Sequence, residues 1–121
     1  MALPTKGRVF QLWEYHVTHG RLLIRSPGVK EGENNLDMIF YGVEFVSLCR
    51  FLKEVSVHEA SLAKRKAIER ALGKEIEPPI RAWVLRHSAG EAFIVGVQME
   101  INENSDEFMK SSFWSTDIDI A

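Results

Sequence analysis

Between Glu91 and Ile101, apolar side chains fall on every second residue: Phe93, Val95, Val97, Met99 and Ile101, with Gln98 and Glu100 between them. Successive strand side chains point to opposite faces, so this spacing predicts a strand with one wholly apolar face that must be covered. The preceding run, residues 80–87, is also rich in β formers, and the link Ser88-Ala89-Gly90 is short and contains glycine. The two runs are therefore expected to pair as an antiparallel hairpin. Trp83 and Leu85 fall on one side of the first run, with Ile80, Ala82 and Val84 on the other. Both sides need cover, by a helix on one and by more sheet or a second subunit on the other.

The same pattern recurs upstream. Residues 7–17 predict a first strand whose odd face (Val9, Trp13, Tyr15, Val17) is mostly apolar. Thr18-His19-Gly20 reads as a turn, residues 21–25 as a second strand, 27–35 as an exposed loop and 36–41 as a third strand. Gly42 then interrupts a strand-like run, which predicts a bend or a tight corner before residues 43–48. Residues 49–55 carry no clear period.

Residues 57–73 change to a helical period, with Ala60, Ala63, Ala67, Ile68, Ala71 and Leu72 on one stripe. Ser56 is the expected N-cap, Glu59 stands in capping-box position, and Gly73 is a natural terminator. An alanine stripe allows close approach to a sheet. Pro78-Pro79 ends any continuation. Residues 102–107 read as a polar turn, 108–116 as a short helix or edge strand, and 117–121 as a frayed alternating end. The expected fold is thus α+β, one domain over residues 1–121. A bent, mostly antiparallel sheet of five to seven strands, curved towards a partial barrel, carries one main helix (about 57–73) on one face.

Composition narrows the setting. With 45% hydrophobic and 26% charged residues the chain is an ordinary globular one, and no apolar run approaches the ~20 residues of a membrane span. The N-terminus lacks the apolar core of a secretory signal, and Cys49 is the single cysteine, so a reducing cytoplasm is the expected location. Net charge is −2 but unevenly placed: zero over residues 1–60, +4 over 61–89 and −6 over 90–121. Such polarity can steer a partner or a second copy of the chain, or be neutralised internally.

Candidate chemistry is sparse. His16 and His19 form a His-x-x-His pair without the third ligand a tight zinc site needs. His58-Glu59 begins a helical zinc motif, but Leu62 stands where its second histidine belongs. Asn102, Asn104, Asp106 and Glu107 alternate like calcium ligands, yet Glu107 and Phe113 occupy the glycine and glutamate positions of such a loop. Cys49, among Val46, Leu48 and Phe51, reads as a buried inert thiol. No phosphate-binding glycine loop is present, so no metal or cofactor is expected. Lys64, Arg65, Lys66 and Arg70 lie on a helix without aromatics, in a chain of pI about 6.1, which argues against nucleic acid.

Two functional classes follow. The first is a non-catalytic protein-interaction or regulatory module, analogous in size and acidity to bacterial immunity proteins. It would act on a protein partner, or pair as a homodimer, through charged loops and the acidic residues Asp106, Glu107 and Asp117. The alternative is a small-ligand binder or small enzyme with a pocket inside the curved sheet, using Glu14, Tyr15, His16, Trp83 and His87.

Overall fold

The structure is a computed structural model that describes residues 7–29 and 32–105. In chain order its elements are β1 (Val9–His16), β2 (Arg21–Ser26), β3 (Asn35–Tyr41), β4 (Phe45–Ser47), β5 (Phe51–Lys53), β6 (Ser56–Glu59), α1 (Leu62–Leu72), β7 (Arg81–His87), β8 (Gly90–Gly96) and β9 (Gln98–Asn104). A five-stranded sheet has the order β5-β1-β2-β3-β9 and a four-stranded sheet the order β4-β8-β7-β6, with antiparallel pairing throughout. The expected α+β class with one main helix holds. The strands of the described residues number nine and are divided between two sheets.

Two corners make that division. At Gly42 the chain leaves the five-stranded sheet after β3 and enters the other through β4; at Gly96-Val97 it returns from β8 to β9. The corners are bonded to each other: Val97 N–H donates to the Tyr41 carbonyl at 2.8 Å, and Glu44 N–H to that of Val95 at 2.8 Å. Gly42 has φ +63°, where a side chain is strained, so the expected interruption there is a tight corner. Gly96 has a different reason: a Cβ would lie 2.9 Å from the Tyr41 carbonyl oxygen.

The second corner corrects the reading of residues 91–101 as one strand with one apolar face. Phe93 and Val95 pack on the helix side, Val97 is 41% exposed, and Met99 and Ile101 pack into the core between the sheets. The period of two is real, but the chain changes sheets in its middle.

Between the sheets, Phe10, Leu22, Ile24, Met38 and Phe40 meet Val57, Trp83, Leu85 and Ile94. Phe40 and Trp83 stand edge to face, with ring centroids 5.6 Å apart, the arrangement ring quadrupoles favour. The space inside the curved sheets is therefore filled with side chains. β7 has the two covered faces its composition requires: Trp83 and Leu85 on the core, Ala82 under the helix.

The helix begins later than its sequence period implies. Ser61 is the N-cap, its Oγ accepting from Lys64 N at 3.3 Å, while Ser56 and Glu59 belong to β6 and pair with Arg86 and Trp83. Pairing with β7 buries Val57 to 1% exposure, which outweighs the weaker preference of one helical turn. Gly73 ends the helix as expected, at φ 82° and donating to the Glu69 carbonyl. Ala63, Ala67 and Ala71 face solvent, and the contact is made by Ile68 against Ile76, Ala82 and Val95. Three further corrections follow. Asn102–Asn104 continue β9 opposite Asp37, Leu36 and Asn35 instead of forming a turn. Trp13 is skipped between the pairs Leu12–Ile24 and Glu14–Leu23, a bulge that reverses the faces of β1. Cys49, expected buried, is exposed in the link between β4 and β5. Among the described residues no helix is long and apolar enough to cross a membrane.

Candidate functional site

β5 is three residues long and pairs only with Val9, Phe10 and Gln11 of β1. Beyond that point β1 runs on without β5 beside it, held at the start by Leu12 N–H donating to the Arg50 carbonyl at 3.0 Å. The result is an edge strip with exposed apolar side chains on both faces: Leu12 at 42% and Tyr15 at 39% on the inner face, opposite Ile24 and Leu22; Phe51 at 50% on the outer face, opposite Gln11; and Val17 at 75% in the turn after β1. These are four of the seven large hydrophobic residues exposed in the described chain, on or next to β1 and its short neighbour β5. The Arg50 guanidinium lies 5.1 Å from the Phe51 ring centroid, a cation–π contact.

The pocket residues expected from sequence do not line one common pocket among the described residues. Glu14 pairs with Leu23 and His16 with Arg21 on the outer face of the five-stranded sheet, and the His16 Nε2 is in hydrogen-bond contact with the Glu14 carboxylate. Tyr15 belongs to the exposed strip, and Trp83 lies 4% exposed on the inner side. His87 ends β7, its Nδ1 accepting from Ala89 N at 3.3 Å. Asp106, Glu107 and Asp117 lie outside the described residues. His58, expected in a helical turn, sits on β6 with Nε2 3.1 Å from Ser56 Oγ. Among the described residues no three His, Cys, Asp or Glu side chains are grouped as metal ligands.

The outer face of the five-stranded sheet carries a buried polar network that sequence reasoning missed. Arg25 grips Asp37 through Nε and Nη2, Asn104 Nδ2 donates to Asp37 Oδ2 at 2.8 Å, and Asn35 Nδ2 donates to Asn104 Oδ1 at 3.0 Å. Trp13 stacks on the same guanidinium, 5.3 Å from its ring centroid. Opposite charges inside two apolar strand runs were the available signal. Each buried side-chain N or O of the described residues has a partner, so this network pins the register of β2, β3 and β9. Nearby, Tyr41 donates to Glu100 Oε1 at 2.6 Å. Burial, with that bond and the Glu100 charge adding to it, pushes its phenol up to about 12.

A groove of about 240 Å³ opens where the edge strand β6 comes near the edge strand β9, with Val57, Trp83 and Met99 beneath and Glu59 and Arg81 beside them. The exposed ion pair Arg81–Glu59 also lines a cleft of about 90 Å³ that continues to Arg65 and Ile76 under α1. On the helix, Lys64 is bonded to Glu91, whose carboxyl it holds below the usual range, with Arg86 adding to the effect. Lys74 is paired with Glu44. Comparison with family models, curated proteins and solved structures finds no match to this chain.

Proposed function

We propose that this chain is a non-catalytic protein-interaction module of the cytoplasm that regulates another protein by binding it. The observation that supports this reading is the open β1 edge, which exposes Leu12 and Tyr15 on one face, Phe51 of β5 on the other and Val17 at its end. Scattered surface hydrophobes are normal, but apolar side chains on both faces of an open strand edge suit a partner that clasps that edge. Its Tyr, Phe and neighbouring Arg50 are residue types enriched where partners bind. The acidic block of residues 90–121, with Asp106, Glu107 and Asp117, supplies the field that speeds encounter.

The test is photo-crosslinking in the native host, with a reactive side chain placed singly at Tyr15, Phe51 or Val29. Val29 is 82% exposed and apolar but isolated in a loop. Discrete adducts with the same protein from Tyr15 and Phe51, absent from Val29, are expected. Adducts of equal yield from all three positions, or from none, would remove the interface.

A further inference from the structure

The groove over Trp83 and the cleft beside Arg65 of α1 share Arg81 and Glu59. We infer that together they bind an extended acidic segment of a partner protein, with one large apolar side chain of that segment seated on Val57, Trp83 and Met99. This goes beyond the strip on β1 and stands on different residues.

The floor is apolar and held in place. Trp83 is fixed edge-on by Phe40, and the Arg81 guanidinium lies 5.5 Å from its ring centroid. A volume of about 240 Å³ suits one side chain. The adjoining cleft, which shares Arg81 and Glu59 with it, is smaller still, at about 90 Å³. Two small depressions that share a wall suit side chains of an extended chain, which project to the same side every second residue.

Charge selects the partner. Among the described residues Lys64, Lys74 and Arg81 have carboxylate partners, whereas Arg65, Lys66 and Arg70 are paired with none. Three cations stand against two acids here: Glu69, which keeps its charge while accepting from Ile76 N–H at 2.8 Å, and Glu75. Arg65 lines the same cleft as Arg81 and Glu59, so a carboxylate entering there meets two guanidiniums. The Arg81–Glu59 pair is 50% and 56% exposed, and pairs so wet contribute little, so exchange with an incoming carboxylate is cheap.

The experiment is fluorescence anisotropy on the full chain, with a short dye-labelled peptide of aspartate and glutamate around one central leucine. A matched peptide with serine in place of leucine tests the floor without cutting into the core. Saturable binding of the leucine peptide is expected, weaker by about tenfold for the serine peptide and for the double variant Arg65→Glu/Arg70→Glu, and falling with salt. Leu12→Asp/Phe51→Asp should leave it unchanged, which separates this site from the strip. The inference fails if no saturable binding occurs, as when the chain's own residues or a second copy hold the groove. It fails equally if both peptides bind alike or if charge reversal changes nothing.

Discussion

The Arg25 guanidinium meets the Asp37 carboxylate at two points, Nε to Oδ1 at 2.7 Å and Nη2 to Oδ2 at 2.9 Å, with both side chains fully buried. The two residues are also direct partners across β2 and β3. Removing one partner strands a charge, so Arg25→Met should cost about 3–5 kcal/mol in urea unfolding. The double replacement Arg25→Met/Asp37→Leu should cost less than Arg25→Met alone, because no buried charge remains. A single variant with the wild-type midpoint would show that the pair is not tightly coupled.

The helix start is testable by its cap. Ser61→Ala removes the acceptor of Lys64 N–H and should lower stability by about 1 kcal/mol. Ser56→Ala, which alters a half-buried strand position, should cost less. The reverse order would restore Ser56 as the cap.

The joined corners predict intolerance at Gly96. A Cβ there would press on the Tyr41 carbonyl at 2.9 Å, backbone that is itself bonded to Val97. Gly96→Ala should therefore cost about 1–3 kcal/mol, as overpacking does, and lower Tm in proportion. At Gly73 a Cβ meets open space but φ is +82°, so Gly73→Ala should cost only the backbone strain, about 1–2 kcal/mol.

Tyr41 links stability to alkaline pH. Its phenol ionises near 12 in the folded chain and at 10.0 ordinarily, so the folded state holds the proton more tightly. That contribution is complete below pH 10 and is lost as pH rises through about 12. In a Tyr15→Phe background, phenolate absorbance should report one transition near the upper value. Glu100→Gln should lower it, and a midpoint unchanged by that substitution would assign the shift to burial alone.

Much of this molecule was legible along the chain, because local rules suffice where neighbours in sequence are neighbours in space. Alternation located the β7–β8 hairpin, the helical period located α1, and Gly42 and Gly73 marked a corner and a helix end. Tyr15 and Trp83 stood out by type, and both line surfaces that carry the functional readings. What the chain alone left open depended on contacts distant in sequence. Whether residues 56–59 became strand or helix was decided by an open edge on β7. Whether Leu12 and Phe51 were covered was decided by the shortness of β5, and Met99 reached the groove because the Gly96 corner turned it there. Periodicity assigns each residue a side of its own element. Only the packing of two sheets, set by where β3 and β8 cross between them, decided which sides became core, groove or exposed strip.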